Sequence, residues 1–326
     1  MYDLISIGDT TTDMFMLLSE QEIRVRDENN DGVTDLIMDF GTKIPIEKLT
    51  RIVAVGNAAN NAIGASRLGL SAALYTALGE DRDADETREV FKAEGVSLEY
   101  VVTTPGTKTN FSAVINVGAE RTILVFHEHR QYHLPDNMQG AGWVYYTSLG
   151  QGHEELNRQI VEYCQRTGTK LAYQPGSHQL RTGLEVVKPI IAAADFVVMN
   201  KEEAQGLTGR FGVECPELVG AFLEMGAKCV AVTDGPKGSF ASDGDGVWFC
   251  DIYDIEVIER TGCGDAWATG FLSARHKGLA VKEAMEWGTV NAAGKLRFIG
   301  AREGLLREQE VRDWITGRPE FGAVKG

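Results

Sequence analysis

The chain has 326 residues and carries 47 acidic against 32 basic side chains, so its formal net charge is −15. This acidic balance argues against a nucleic-acid partner, because proteins that bind nucleic acids use lysine and arginine to neutralise phosphates. A hydrophobic fraction of 43% beside 24% charged residues is typical of a globular chain. No apolar run reaches the roughly 18 residues that cross a bilayer. The N-terminus also lacks the pattern of a signal peptide, so we expect no membrane partner.

The number and spacing of the cysteines indicate the redox state of the compartment in which the protein works. They are scattered, odd in number, and form neither a CxxC pair nor a disulfide framework: Cys164, Cys215, Cys229, Cys250 and Cys263. This usage predicts a reducing cytoplasm and no structural zinc. The length suggests about two domains, or one large α/β domain with an excursion.

Short β-branched or aromatic runs alternate with helical patterns along most of the chain. The predicted strands are Leu4–Ile7, Ala72–Ala77, Trp143–Tyr146, Lys170–Tyr173, Phe196–Met199 and Cys229–Thr233. The predicted helices are Asn60–Leu68, Ala84–Ala93, Glu154–Gln165, Val186–Ala193, Glu217–Met225, Asp265–Lys277 and Val281–Phe298. Several strands are apolar on both sides of the pleat, as in a central sheet covered by helices. The alternation predicts an α/β domain with a mostly parallel sheet.

Two stretches interrupt this rhythm, and we interpret them as a small β-lid within one large domain. The lid covers about residues 14–49 and 107–126. Its strand-like segments are Leu36–Phe40, Asn110–Val117 and Thr122–Phe126, the last two flanking the turn Gly118-Ala119-Glu120. A late hairpin, Ser239–Ser242 with Val247–Cys250, is predicted from its Asp-Gly turn.

The strongest local signal is the segment Glu259-Arg260-Thr261-Gly262-Cys263-Gly264-Asp265, which leads into a predicted helix. Its glycines let successive N–H groups point into one space, and the helix N-terminus adds positive charge. Asp265 lies at the same end, where the helix dipole favours its ionised form. A carboxylate beside an anion site suits phosphoryl transfer, because the base deprotonates a hydroxyl while the amides hold the phosphoryl charge. Taken alone, the segment also fits ordinary helix capping.

Three further motifs accompany this segment along the chain. They are Gly56-Asn57-Ala58-Ala59-Asn60-Asn61-Ala62, Asn200-Lys201-Glu202-Glu203 and Thr233-Asp234-Gly235-Pro236-Lys237-Gly238. In order and spacing, the set resembles the ribokinase-like (PfkB) family of carbohydrate kinases. The resemblance spans nearly the whole chain, from the Gly8–Asp13 segment to Gly300-Ala301. It implies a ribokinase-like three-layer α/β/α domain with a mostly parallel sheet and a small β-sheet lid.

The resemblance also assigns the residues of phosphoryl transfer. It implies that Asp265 is the catalytic base and that the anion hole is formed by Gly262, Cys263 and Gly264. Asn200 and Glu203 match an N-x-x-E element that positions Mg²⁺ largely through water, which suits an ion that keeps several waters. Without the resemblance, Asn200 would be interpreted as the end of a strand and Glu203 as part of a helix's first turn.

Other matches concern the nucleotide and the acceptor. The turn that lines ATP in the family is matched by Thr233, Gly235 and Gly238, and Asn291 falls on the helix that borders the adenine pocket. Asp13 matches the carboxylate at the end of the first strand that holds substrate hydroxyls, since an ionised carboxylate accepts both donors of a vicinal diol. Asn60 matches an acceptor contact and Gly56 the lid hinge. For Asn291 a surface position, and for Asp13 an exposed turn, are equal interpretations. GTP or ADP as the donor also stays open.

The chain departs from the family pattern at several positions. Val55 replaces the first hinge glycine, which predicts reduced hinge freedom. Glu259 stands where the family has Asp, and Gly304 where a Ser is frequent; because both family residues are associated with a monovalent-cation site, these changes argue against K⁺ activation. Cys263 replaces the commoner Ala. A thiol at a helix N-terminus has a lowered pKa, so we predict sensitivity to alkylation.

Two other motifs suggest metals. The stretch from Asp27 to Asp35 follows the opening of a calcium-binding loop, but Met38 stands where the bidentate Glu belongs, so a solvated turn of the lid is the preferred interpretation. His127, His129 and His133 are close in sequence, although their alternation is more typical of a strand than of a metal site.

The combined interpretation is an ATP-dependent kinase that phosphorylates a hydroxyl of a sugar. A nucleoside kinase is the alternative and would need an aromatic surface, for which Phe111 and Phe126 are candidates. A kinase of phosphorylated sugars would need a cation near the acceptor, for which Arg121 is the candidate. A non-catalytic sugar- or nucleotide-binding regulator is the alternative from another class. Exposed strand edges in the lid suggest a homodimer formed through the lids.

Overall fold

The computed structural model describes residues 1–19, 21, 23–27, 34–117 and 120–326. The described strands are β1 (Leu4–Ile7), β2 (Thr11–Leu18), β3 (Arg24–Arg26), β4 (Asp35–Ile37), β5 (Ile46–Val55), β6 (Ala72–Leu78), β7 (Val101–Thr103), β8 (Asn110–Val117), β9 (Glu120–Phe126), β10 (Trp143–Tyr146), β11 (Lys170–Tyr173), β12 (Phe196–Asn200), β13 (Val230–Thr233), β14 (Ser239–Ser242), β15 (Trp248–Cys250) and β16 (Val324–Lys325). The described helices are α1 (Asn57–Arg67), α2 (Arg82–Ala93), α3 (Glu154–Thr167), α4 (Ser177–Thr182), α5 (Leu184–Ala193), α6 (Lys201–Thr208), α7 (Cys215–Glu224), α8 (Cys263–His276), α9 (Val281–Leu296) and α10 (Glu308–Gly317).

The large sheet has the strand order β16-β15-β14-β13-β12-β11-β10-β1-β6-β7. From β7 to β13 all neighbouring strands are parallel, and β14, β15 and β16 continue the sheet in antiparallel fashion. Parallel neighbours require crossover connections, which the helices supply. The predicted α/β class with a mostly parallel sheet is confirmed.

Helices cover both faces of this sheet, which explains why its strands are apolar on both sides of the pleat. Val144 and Tyr146 of β10 belong to a core cluster with residues of α3, α5 and α7. Trp143 and Tyr145 point to the other side and belong to a cluster with α8 and α9. All four residues of β10 are buried, so the predicted three layers are present.

A smaller sheet has the strand order β5-β2-β8-β9. It is wider than the predicted lid, because Thr11 pairs with Val55 on one side and with Asn110 on the other. The first half of β5 is exposed on both faces, so it shows no apolar alternation from which a strand could be predicted.

Several predicted boundaries move. The predicted helix at Asn60 begins at Asn57, and the predicted strand Leu36–Phe40 is Asp35–Ile37. The late hairpin is confirmed as the antiparallel pair β14–β15. Residues 28–33 of the calcium-loop-like stretch, and residues 118–119 of the predicted turn, lie outside the described residues. Within the described part of the chain, no helix combines the length and the apolar character needed to cross a membrane.

Candidate active site

A cavity of about 550 Å³ lies where the carboxyl ends of the central parallel strands meet the smaller sheet. Ligands of open α/β sheets bind at this edge, because the loops that follow the strands converge there. The predicted site residues that line the cavity are Asp13, Gly56, Asn60, Asn200, Glu203, Thr233, Gly262, Cys263, Gly264 and Asp265. The structure therefore brings together side chains that are separated by up to 252 positions.

Asp265 lies in the first turn of α8 and is 6% exposed. Its Oδ2 accepts a hydrogen bond from Asn60 Nδ2 at 2.8 Å, and its Oδ1 accepts one from Gln174 Nε2 at 3.2 Å. Burial raises the pKa of Asp265 to about 6, although both hydrogen bonds oppose the shift. We predicted that the helix dipole favours the ionised form. The net direction is the opposite because desolvation is the larger effect.

The backbone before Asp265 forms the expected turn. Gly262 has φ 75°, a left-handed conformation that favours glycine, and a Cβ at this position would lie 2.6 Å from Ala301 Cβ. The amide of Cys263 already donates to the Arg260 oxygen at 3.2 Å. Within the described residues the amides of Gly262, Gly264 and Asp265 have no hydrogen-bond partner. An incoming anion would therefore meet these three amides, whereas the amide of Cys263 is already engaged.

The sequence predicts Asp13 at the end of the first strand. The structure instead places it within β2 of the smaller sheet. It is 8% exposed, and its Oδ1 is buried without a partner in the described structure. Burial raises the pKa of Asp13 to about 6; the Ser112 hydroxyl opposes this shift and the Glu259 charge adds to it. A buried acceptor without a donor is costly, so this oxygen is suited to a ligand hydroxyl.

Sequence reasoning missed Asp9 and Gln174. Asp9 is 5% exposed, and its Oδ2 accepts hydrogen bonds from Tyr132 Oη at 2.8 Å and from the Gly150 amide at 2.8 Å, while its Oδ1 is a second buried oxygen without a described partner. His127 Nδ1 lies 3.2 Å from Asp9 Oδ2. Asp9 and Gln174 closely follow strands β1 and β11. A polar residue just after a buried strand was therefore the signal that could have identified them.

Asn200 and Glu203 form a reciprocal cap at the start of α6. The Glu203 amide donates to Asn200 Oδ1 at 2.7 Å, and the Asn200 amide donates to Glu203 Oε2 at 3.0 Å. Burial raises the pKa of Glu203. Both residues line the cavity, so the capping role and a role beside a ligand are compatible.

Only one of the four residues predicted to contact the nucleotide lines the cavity. Thr233 lines the cavity, whereas Gly235, Gly238 and Asn291 do not. Gly238 has φ 86°, and a Cβ there would lie 2.4 Å from the Cys250 oxygen, so local packing alone requires glycine. Asn291 is completely buried, donates to the Ala266 oxygen at 2.8 Å and accepts from the Leu306 amide at 3.0 Å. Asn291 thus contacts backbone groups of α8 and of the loop before α10, and its place beside the nucleotide stays a prediction.

Two further predictions are corrected by the structure, and the position of one more candidate residue agrees with its prediction. Burial raises the pKa of the Cys263 thiol, with the Asp265 charge acting in the same direction and Lys295 opposing, so the predicted lowered pKa is wrong. Phe111 and Phe126 do not line the cavity. They pair on the opposite face of the smaller sheet from Ser112 and Val125, because side chains alternate along a strand. Arg121 does line the cavity.

Comparisons with known proteins agree with this arrangement. A family model described as pfkB family carbohydrate kinase matches residues 33–306. An ATP-dependent 6-phosphofructokinase of Thermoanaerobacterium thermosaccharolyticum is 23% identical over 318 residues, covering 92% of this chain and 89% of the relative. A nucleoside kinase of Methanothermobacter thermautotrophicus is 23% identical over 283 residues, covering 86% of this chain and 84% of the relative. The Arabidopsis thaliana ribokinase structure with ribose and ATP has a TM-score of 0.79 and 19% identity, covering 96% of this chain and 98% of that one. The chain belongs to the pfkB family of carbohydrate kinases.

Proposed function

We propose that the chain is an ATP-dependent kinase that transfers the γ-phosphoryl group to a hydroxyl of a sugar. The observation that carries this proposal is the position of Asp265. Its carboxylate is buried in the cavity beside backbone amides that have no partner among the described residues, and its pKa is about 6. A base with a pKa near the working pH and donors fixed at the site of developing charge are the groups that phosphoryl transfer requires.

In the proposed mechanism Asp265 accepts the proton of the acceptor hydroxyl as that oxygen attacks the γ-phosphorus. Asn60 and Gln174 fix the orientation of the carboxylate through their hydrogen bonds to its two oxygens. The amides of Gly264 and Asp265 stabilise the charge of the transferring group. Asp13 and Asp9 accept hydrogen bonds from other hydroxyls of the sugar through the oxygens that now have no described partner.

The residues present fit Mg²⁺ with ATP. Glu203 uses Oε2 in the helix cap and keeps Oε1 available, and Asn200 lies beside it at the cavity wall. The described residues contain no cluster of three metal-ligating side chains, and Mg²⁺ needs only one or two carboxylates because it retains water. When bound, the ion would neutralise phosphate charge. We propose Thr233 and the open turn at Gly235 as the neighbourhood of the nucleotide, since a Cβ at Gly235 would meet no atom within 4 Å.

A nucleoside is the second candidate acceptor. His127 and His178 line the cavity with ring centroids 5.3 Å apart in an edge-to-face pair, which offers a flat surface to a base. The described lining contains no Phe, Tyr or Trp. Three buried oxygens without described partners, on Asp9, Asp13 and Asn60, favour an acceptor rich in hydroxyls. The sugar is therefore the preferred substrate class.

The test is ADP release from Mg-ATP across pentoses, hexoses, sugar phosphates and nucleosides, with Asp265→Asn in parallel. Removing the base is expected to lower turnover by roughly 10²–10⁴-fold. Asp136→Asn is the matched control, because the Asp136 side chain is fully exposed on the surface. Acceptor-dependent turnover that survives in Asp265→Asn contradicts the mechanism. Binding of acceptor and ATP without turnover points to the regulator.

We also propose that the smaller sheet acts as a lid and that the chain is a cytoplasmic homodimer joined through the lids. Strand β9 lies at the edge of the smaller sheet, and its outer side chains Leu124 and Phe126 are 56% and 50% exposed. An exposed apolar edge strand is a surface that proteins usually cover. We expect a dimeric mass at micromolar concentration and a monomeric mass for Leu124→Asp; a monomeric wild type contradicts the dimer.

A further inference from the structure

Lys295 is an unusually placed cation. It lies near the end of α9 with no exposed surface, although a lysine ammonium is strongly hydrated in water. Its Nζ donates to the backbone oxygen of Glu259 at 2.7 Å and to Glu259 Oε2 at 3.1 Å. The mechanism above gives this buried charge no direct contact with substrate, so its role lies elsewhere.

Glu259 connects this ammonium to the anion-binding turn. The Glu259 carboxylate accepts hydrogen bonds from the Thr261 amide at 2.6 Å, from the Thr261 hydroxyl, and from the Gly300 amide at 3.3 Å. The amide of Ile258 donates to the Leu296 oxygen at 2.8 Å. Lys295 therefore lies at the centre of the contacts that join the segment leading into the turn to the end of α9 and to Gly300.

The turn itself depends on that close packing. Gly262 lies against Ala301, one residue beyond the Gly300 amide that Glu259 holds. Gly304 has φ 77°, and a Cβ there would lie 2.5 Å from the Gly294 oxygen and 3.1 Å from Lys295 Cα. The absence of a side chain at position 304 thus allows the loop to pack directly on the backbone that carries Lys295.

A carbonyl and a carboxylate oxygen around a buried monovalent charge make an environment that would equally suit K⁺ or NH₄⁺, which are similar in size to the head of lysine. We propose that Lys295 is a positioning residue, a covalently attached monovalent cation. It holds the turn from Glu259 to Cys263, and with it the amides of Gly264 and Asp265, in the conformation that receives the phosphoryl group. Activity is then independent of added monovalent cations. This proposal rests on the proposed kinase function.

The first experiment compares wild-type turnover in choline, Na⁺ and K⁺ chlorides at equal ionic strength. We expect equal kcat in all three salts. Stimulation of the wild type several-fold by K⁺ overturns the proposal without any variant.

The second experiment removes the ammonium. In choline chloride, Lys295→Ala is expected to lose about tenfold to a hundredfold in kcat, because small misplacements of catalytic groups are costly. NH₄⁺, K⁺ or ethylammonium should restore part of it by entering the vacated space. Lys295→Met is the matched control, since its side chain fills the space and should block the rescue. Lys92→Ala removes a lysine that pairs with Glu89 on an exposed helix face and should behave as wild type.

A readout without turnover separates this proposal from the kinase function. The melting temperature of Lys295→Ala should rise with NH₄⁺ relative to choline, because a cation that binds only the folded state stabilises it, and Lys295→Met should show no such rise. Wild-type turnover that is absent in every salt contradicts the kinase function, while this melting shift would still support the cation. Loss of kcat in Lys295→Ala without rescue by any cation, or full kcat in that variant, overturns the proposal.

Discussion

The two walls of the cavity each present a buried carboxylate, and the two carboxylates differ in the hydrogen bonds that they accept. Asp265 comes from the α/β body and Asp13 from the smaller sheet, and burial raises the pKa of each to about 6. Both oxygens of Asp265 accept hydrogen bonds from neighbouring amides. Asp13 Oδ1 is buried without a partner among the described residues.

This difference indicates a division of labour. A carboxylate with both oxygens engaged is fixed before the substrate arrives, as a catalytic base should be. A buried oxygen without a donor destabilises the empty cavity until a ligand hydroxyl supplies one. The α/β domain therefore supplies the catalytic base, and the smaller sheet supplies the carboxylate that binds the substrate.

The largest effect that can test this comparison is the pH dependence of kcat/KM. Both carboxylates must be ionised, so activity is lost as the pH falls through about 6. With two such groups, we expect kcat/KM to fall about a hundredfold between pH 7 and pH 5. In Asp13→Asn the fall should be only about tenfold, because one ionisation remains. Equal slopes in the two proteins would contradict a separate role for Asp13.

Asp13→Asn at pH 7 tests the recognition side. We expect kcat/KM for the sugar to fall about tenfold to a hundredfold, because a hydrogen bond to a charged group is lost. The affinity for ATP should be unchanged. A loss of ATP affinity would instead place Asp13 beside the nucleotide and contradict its role in binding the sugar.

The same variant should be more stable than wild type. Asp13 has a folded pKa above its unfolded value, so its ionised form opposes folding above pH 6 and the penalty disappears toward pH 4. We expect Asp13→Asn to raise the free energy of unfolding by about 1–3 kcal/mol at pH 7, and denaturant melts at both pH values measure it. An increase that persists at pH 4 would have another cause.

The smallest expected effect on activity is that of replacing Cys263. Its raised pKa predicts slow alkylation at pH 7, with a rate that climbs at alkaline pH. Cys263→Ala should retain nearly wild-type turnover, because the Cys263 amide and not the thiol belongs to the turn. Rapid loss of activity with iodoacetamide at pH 7, absent in Cys263→Ala, would restore the original prediction of a reactive thiol.

The sequence determined much of the body because its signals are local. Buried strands such as Trp143–Tyr146 and Lys170–Tyr173 have the predicted ends, since a run covered on both faces must be apolar throughout. The Gly-x-Gly-Asp segment predicted a turn followed by a helix, because glycine turn and helix-start signals are also local; α8 begins at Cys263, two residues before the predicted start. Strand β5 could not be predicted, because its exposed half has no pattern to detect.

The tertiary structure alone decided how these residues act on one another. Desolvation reversed the expected pKa directions of Asp265 and Cys263, because burial depends on packing and not on neighbours in the chain. The Lys295–Glu259 pair also depends on tertiary packing, because its two residues are 36 positions apart in the chain. A sequence by itself can name a carboxylate, an amide and a glycine turn; only the fold decides which oxygens are satisfied and which charges are hidden from water.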